Sequence, residues 1–101
     1  MESNYNYQFF EQGCGADYKD KERWSAFFGG IAEKIIALFH PETVLDAGCA
    51  FGYLVSELRK RGVEAYGFDI SDYAISNVDA DFKEFCFVHD ITQPLPEQRC
   101  V

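Results

Sequence analysis

Residues 44–52, Val-Leu-Asp-Ala-Gly-Cys-Ala-Phe-Gly, decide the fold of this chain. A short apolar strand is predicted to end at Asp46 and to enter a turn that contains Gly48 and Gly52, after which a helix begins. Glycine allows positive φ angles and a close approach of a ligand to the backbone. A helix N-terminus presents backbone N–H groups that have no partner within the helix. The stretch therefore predicts a binding site for a ligand that contains a nucleoside.

Strands and helices are predicted to alternate around this stretch. The predicted elements, in chain order, are a helix over 21–39, a strand over 43–46, a helix over 52–61, a strand over 65–70, a short helix capped by Ser71 that runs to residue 78, and a strand over 84–89. This order predicts an α/β fold, a Rossmann-like parallel sheet with flanking helices and right-handed crossovers. The strands are continuous apolar runs, which is typical of strands covered on both faces.

The first predicted helix has one wide apolar face and two consecutive glycines. The apolar positions at helical spacing are Phe27, Phe28, Ile31, Ala32, Ile35, Leu38 and Phe39. Gly29 and Gly30 each cost about 1 kcal/mol relative to alanine inside a helix. They indicate either close packing or a local break. Pro41 is expected to end the helix, because it disfavours helical geometry at the residue before it.

The length of 101 residues fits one small domain. Residues 1–19 are predicted to form an irregular aromatic arm, which packs on the helical face or covers the ligand as a lid. Residues 20–101 are predicted to be the N-terminal half of a larger domain, apparently truncated after the third strand. If the sheet ended there, the first strand would be an exposed edge through which a homodimer could form.

Composition excludes several classes of partner. The net charge is −8, which gives no attraction to a phosphate backbone and makes nucleic acid an unfavourable partner. No apolar run approaches the roughly 20 residues of a membrane span, and the polar N-terminus is unlike a signal peptide. The four cysteines have no metal-binding spacing, so we predict no metal site and free thiols in a reducing, cytoplasmic compartment.

Three acidic residues, Asp46, Asp69 and Asp90, lie at the carboxyl ends of the three predicted strands. Ligands of open parallel sheets bind beyond these ends. Asp69 suits a ribose diol, because a carboxylate accepts two hydrogen bonds at once. Asp46 is predicted to orient a cationic ligand group, and Asp90 to accept from an exocyclic amine of a base. Ile70 and Ile91 follow two of these acids and are predicted to sandwich an adenine ring.

The chain resembles the class I S-adenosylmethionine-dependent methyltransferases. Residues 46–52 match the first motif of that family, 67–71 resemble its second-strand motif, and 88–91 followed by Leu95-Pro96 resemble the motif after its third strand. The resemblance implies binding of S-adenosylmethionine or S-adenosylhomocysteine and transfer of a methyl group to an acceptor, which we expect to be a small molecule. The implied cofactor-binding residues are Asp46, Gly48, Cys49, Ala50, Gly52, Asp69, Ile70, Asp90 and Ile91.

Two departures from that family bear on this expectation. Ala50 stands where many members have a middle glycine. The second half of the family fold, which usually helps to shape the acceptor site, is not in this sequence. The resemblance therefore supports cofactor binding more directly than catalysis, and we assign no catalytic residue.

Two other functions fit parts of the pattern. A nicotinamide-dinucleotide enzyme shares the fold and the ribose-binding acid, but its G-x-G-x-x-G fingerprint is reduced here to Gly48 and Gly52, and Asp46 would place a negative charge near a phosphate. The second alternative is a non-catalytic half-domain that folds by dimerising.

Overall fold

The computed structural model describes residues 20–94, so the predicted aromatic arm and residues 95–101 lie outside the described residues. The helices are α1 (Lys21–Phe39), α2 (Tyr53–Lys60) and α3 (Asp72–Ser76), and the strands are β1 (Thr43–Ala47), β2 (Glu64–Asp69) and β3 (Cys86–Val88). One turn of 3₁₀-helix, Lys83–Phe85, leads into β3. This is the predicted order of elements.

The three strands form one parallel sheet in the order β1-β2-β3. Asp46 pairs in register with Gly67, and Asp69 pairs with Val88. All three carboxyl ends therefore meet at the same edge of the sheet. This confirms the predicted α/β fold with a parallel sheet and flanking helices. Within the described residues β1 lies at an edge of the sheet, whereas its pairing with a second copy stays a prediction.

Helix α1 begins and ends as the sequence predicts. The Asp20 side chain accepts a hydrogen bond from the backbone N–H of Arg23 at 3.2 Å, which satisfies one of the first-turn donors. His40 follows the last turn in the left-handed conformation, with φ 46°, and Pro41 comes next. The helix is continuous through its two glycines, so the alternative of a local break is wrong.

The wide apolar face predicted for α1 is wrong at its margins. Phe27, Leu38 and Phe39 are 56%, 73% and 72% exposed, whereas Ala32 is fully buried. The physical reason is that α1 packs against one other helix, α2, and two crossed cylinders bury only a narrow stripe of each. Gly29 lies in that stripe: a Cβ atom there would lie 3.2 Å from Nη2 of Arg61.

Helix α2 packs against both α1 and β2, and its side chains form the centre of the core. Val55 and Leu58 on this helix are fully buried and pack with Ala65 of β2 and with Cys49 and Cys86. The last turn of α2 is basic, as predicted, and Gly62 follows it with φ 88°. Because α2 begins directly after the glycine turn, its packing on β2 fixes the turn at the end of the sheet.

Three predicted details of the strands and of α3 are corrected. Strand β3 is shorter than 84–89, because residues 83–85 form the 3₁₀ turn and the N–H of Cys86 bonds back to the carbonyl of Lys83. Helix α3 ends at Ser76 rather than residue 78, where the Asn77 side chain caps the Tyr73 carbonyl at 2.9 Å. The expectation that every strand is covered on both faces fails at β1: its alternate residues, from Thr43 to Ala47, are exposed, so the described residues leave one face of this strand uncovered.

Candidate cofactor site

The cofactor turn, residues 46–52, is built from left-handed backbone conformations. Gly48, Ala50 and Gly52 have φ angles of 84°, 52° and 76°. The N–H groups of Gly48 and Cys49 both donate to the carbonyl of Phe68 at 2.8 Å, and the N–H of Gly52 donates to the carbonyl of Cys49 at 2.8 Å. The turn is therefore fixed to the carboxyl end of β2 by its own backbone.

The two glycines of this turn serve different purposes. A Cβ atom on Gly48 would meet nothing within 4 Å, and the residue is exposed. A Cβ atom on Gly52 would lie 3.1 Å from Sγ of Cys86 and 3.2 Å from Cγ2 of Val78. Gly48 thus leaves open space in which a ligand can approach the backbone, whereas Gly52 allows the start of α2 to pack against β3.

Ala50 takes the left-handed conformation without being glycine. Such a conformation costs roughly 1–2 kcal/mol for an L-residue. Its N–H donates to Oδ2 of Asp69 at 2.8 Å, a hydrogen bond to a charged acceptor that contributes about 1.5–3 kcal/mol. The free energy of this hydrogen bond is large enough to offset the backbone strain. This explains how the turn accommodates alanine at this position.

Asp69 is buried, 9% exposed, and acts as the link between the turn and β2. Its second oxygen, Oδ1, accepts from the N–H of Ser71 at 2.9 Å. A carboxylate offers about four acceptor positions, so two remain for a ligand such as a ribose diol. The sequence pattern indicated the ligand role but gave no sign of the bond to Ala50, because that bond joins residues 19 positions apart.

Asp46 lies on the same side of the sheet as Asp69, in register with Gly67. Burial, with a further contribution from the negative charge of Asp69, raises the pKa of Asp46 from 3.8 to about 6. Two carboxylates beside an open turn create a negative potential. A cationic group of a ligand would relieve it, so this edge of the sheet favours a cation near Asp46.

Asp90 lies at the same edge, beyond β3. The N–H of His89 donates to the carbonyl of Asp69 at 2.9 Å, which holds the residues after β3 against the end of β2. The Asp90 carboxylate accepts from the backbone N–H and the hydroxyl of Thr92 at 2.9 and 2.8 Å. These two hydrogen bonds lower its pKa. The structure thus brings Asp46, Asp69 and Asp90 to one edge of the sheet.

The two isoleucines predicted to sandwich an adenine ring differ in exposure. Ile91 is 70% exposed and Ile70 is half-buried. Each follows an acid at the carboxyl edge of the sheet. An apolar surface suits the flat face of a purine, and a neighbouring carboxylate suits the polar groups on its edge.

Two aromatic groups near this edge were not recognised as part of the site from the sequence. Phe51 and Tyr53, both buried, continue the turn into α2, with Phe28 of α1 stacked on Tyr53 at 6.1 Å between ring centroids. Just after β3, the His89 ring packs edge-on against Phe68 of β2 at 5.4 Å between ring centroids. The sequence signal was Phe51, an aromatic residue inside the glycine turn. Its place in an aromatic cluster follows only from the packing of α1 on α2.

Residues 20–94 contain neither a metal-binding cluster nor a membrane-spanning helix. No group of three or more histidine, cysteine, aspartate or glutamate side chains is placed to hold a metal ion in this part of the chain. Among the helices of the same residues, none combines the length and apolarity needed to cross a membrane.

Known structures share this fold over 39–53% of their length. Magnesium protoporphyrin IX methyltransferase from Synechocystis PCC 6803, with bound S-adenosylhomocysteine, matches with a TM-score of 0.61 at 19% identity over 87% of this chain and 51% of that one. The same enzyme with bound S-adenosylmethionine matches with a TM-score of 0.59 at 20% identity, over 87% and 53% of the two chains. The plantazolicin methyltransferase BpumL, in complex with S-adenosylhomocysteine, gives 0.54 at 18% identity, over 87% and 39%.

The chain therefore spans about half the length of the first of these structures. No curated protein matches the sequence. At these identities the structural matches show the fold. The sequence profile of the family described as "Methyltransferase domain" matches residues 10–98, which is most of the chain. The chain belongs to this methyltransferase domain family, as its resemblance to the S-adenosylmethionine-dependent methyltransferases indicated.

Proposed function

We propose that this chain binds S-adenosylmethionine at the carboxyl edge of its sheet and is the cofactor-binding part of a methyltransferase that acts on a small-molecule acceptor. The observation that carries the proposal is the meeting of Asp46, Asp69 and Asp90 at one edge of the sheet, beside a turn whose Gly48 is exposed. Membership of the methyltransferase domain family supports it.

Each group at this edge matches one part of that cofactor. Asp46 faces the cationic amino acid end, whose charge compensates the repulsion between Asp46 and Asp69. The free acceptor positions of Asp69 take the ribose hydroxyls. Asp90 accepts from the adenine amine, and Ile70 and Ile91 cover the faces of the ring. Gly48 leaves the space in which the ligand approaches the turn.

The bound cofactor supplies an activated methyl group on a sulfonium centre. The protein then needs mainly to orient the acceptor in line with that methyl and to exclude water. The residues of this chain hold and position the cofactor. Free, buried Cys49 and Cys86 fit the cytoplasmic compartment that we propose, because reducing conditions maintain thiols.

Calorimetric titration with S-adenosylhomocysteine tests the proposal, and the structure selects the variant. Asp69→Ala removes hydrogen bonds from Ala50 and Ser71 as well as from a ligand, so a loss of binding would not separate contact from collapse of the turn. Asp90→Ala is preferable, because the hydrogen bonds that its carboxylate accepts come from the neighbouring Thr92. Asp81→Ala is the matched control, an exposed acid before the amino end of β3.

We expect the unmodified chain to bind and Asp90→Ala to bind roughly 10- to 100-fold more weakly. The range is that expected for the loss of one hydrogen bond to a charged acceptor. Asp81→Ala should bind like the unmodified chain. Absence of binding by a folded chain would refute the proposed function, and equal losses in the two variants would refute the role of Asp90.

A further inference from the structure

Two buried thiols lie side by side behind the cofactor turn. Cys49 belongs to the turn and Cys86 begins β3; they are 5% and 6% exposed, and both are free. Both side chains pack in the same buried cluster, and each thiol perturbs the pKa of the other. We propose that this pair is an oxidisable dithiol, which a peroxide converts to a Cys49–Cys86 disulfide, and that this modification distorts the cofactor turn.

The backbone already brings the two cysteines together. A Cβ atom on Gly67 would lie 2.6 Å from Cβ and 2.8 Å from Sγ of Cys49, so Cys49 sits directly above Gly67. Gly67 is the register partner of Cys86 on the neighbouring strand, and adjacent strands are about 4.8 Å apart. The Cys49 side chain, stacked over Gly67, therefore lies beside the first residue of β3. A disulfide needs Cβ atoms roughly 3.5–4.5 Å apart, so we expect closure to require a local movement rather than refolding.

The surroundings of the pair assign different roles to the two sulfur atoms. The Arg59 guanidinium lies 3.3 Å from the ring centroid of Phe85, the residue before Cys86. The interaction with Cys49 and the Arg59 cation lower the pKa of Cys86. Burial and the charge of Asp46 act against this lowering. Because Cys86 is the thiol beside a cation, we assign the attacking sulfur to Cys86 and the resolving sulfur to Cys49.

The oxidation balances with hydrogen peroxide as the oxidant. The Cys86 thiolate attacks one peroxide oxygen, the O–O bond breaks, and the other oxygen leaves as hydroxide, which takes up a proton to become water. Cys86 is then a sulfenic acid. The Cys49 sulfur attacks the Cys86 sulfur, the S–S bond forms, the S–O bond breaks, and hydroxide leaves and combines with the Cys49 proton as a second water.

Closure of the disulfide acts on the residue that follows Cys49. An S–S bond is about 2.05 Å long, much shorter than the distance between two thiols that are only packed together, so Cys49 must move toward β3. This movement pulls on Ala50, whose N–H bond to Asp69 is 2.8 Å long. The consequence for the cofactor rests on the proposed function: the oxidised chain should bind S-adenosylhomocysteine at least tenfold more weakly.

Peptide mapping after treatment with hydrogen peroxide tests the disulfide in the unmodified full chain. Trypsin places the four cysteines in separate peptides, with Cys49 in 35–59 and Cys86 in 84–99. We expect a cross-linked 35–59/84–99 species that dithiothreitol reverses. Thiols that stay reduced, or cross-links to Cys14 or Cys100 instead, would overturn the proposal.

Calorimetry and amide hydrogen exchange test the effect on the turn. We expect faster exchange of the amides at 48–52 after oxidation and weaker binding of S-adenosylhomocysteine, with neither change in Cys86→Ala treated in the same way. Unchanged exchange and binding in the cross-linked chain would overturn the coupling. A reduced chain that does not bind S-adenosylhomocysteine refutes the proposed function instead, while mapping and exchange still decide the dithiol.

Discussion

The half-buried carboxyl of Asp46 should make this protein less stable near neutral pH, and Asp46→Asn should relieve that cost. The pKa of Asp46 rises from 3.8 to about 6 on folding, first because of burial and then because of Asp69. The folded chain therefore holds this proton more tightly than the unfolded chain. The stability that results is present below pH 3.8 and is lost as the pH rises through about 6.

The size of the effect follows from the same values. An increase from 3.8 to about 6 corresponds to about 3 kcal/mol, at about 1.4 kcal/mol for each tenfold change in proton affinity. Asp46 is partly exposed, and solvent screening reduces the expected value to about 1–2 kcal/mol. Asparagine keeps the shape of the side chain but carries no charge. The free energy of unfolding of Asp46→Asn, relative to the unmodified chain, should therefore grow by this amount between pH 4 and pH 7.

Urea denaturation of the unmodified chain and of Asp46→Asn across this pH range measures the difference. Asp90→Asn is the control: the Thr92 hydrogen bonds lower the pKa of Asp90 below 3.8, so its stability difference from the unmodified chain develops below about pH 4 and should stay nearly constant from pH 4 to pH 7. A stability difference for Asp46→Asn that is equally constant over this range, or that shrinks as the pH rises, would refute the reasoning.

Two further predictions concern glycines. Gly30→Ala should stabilise the chain by about 1 kcal/mol, because a Cβ there meets nothing within 4 Å and alanine favours a helix. Gly29→Ala should gain less, since its Cβ would lie 3.2 Å from the Arg61 guanidinium; an equal gain in urea denaturation would contradict the packing of α1 on α2. Gly67→Ala should cost about 1–3 kcal/mol, because its Cβ would lie 2.6 Å from Cβ of Cys49. A thermal midpoint for Gly67→Ala equal to that of the unmodified chain would mean that Cys49 does not sit above β2.

Local sequence signals predicted most of the fold. The bounds of α1 follow from Asp20 as cap and Pro41 as terminator, and those of α2 from Gly52 and Gly62, because these residues act on the backbone where they stand. Strand β3 was predicted too long because an apolar run does not reveal where backbone pairing begins. Phe85 belongs to the 3₁₀ turn instead, with the Arg59 guanidinium 3.3 Å from its ring centroid.

The sequence by itself determined the parallel order of the strands, the glycine turn and the three acids at the strand ends. These depend on residue type and spacing along a short stretch of chain, and they were sufficient to indicate the family. Spacing also placed the acids at one edge, since all carboxyl ends of a parallel sheet lie together.

Only the tertiary structure decided how those residues act on one another. The bond from Ala50 to Asp69, the raised pKa of Asp46 and the pairing of Cys49 with Cys86 arise between segments 19 to 37 residues apart. Burial and electrostatic coupling depend on the distance in space and on what excludes water. No periodicity along the chain encodes either quantity, which is why the sequence indicated the ligand but not the properties of the groups that would hold it.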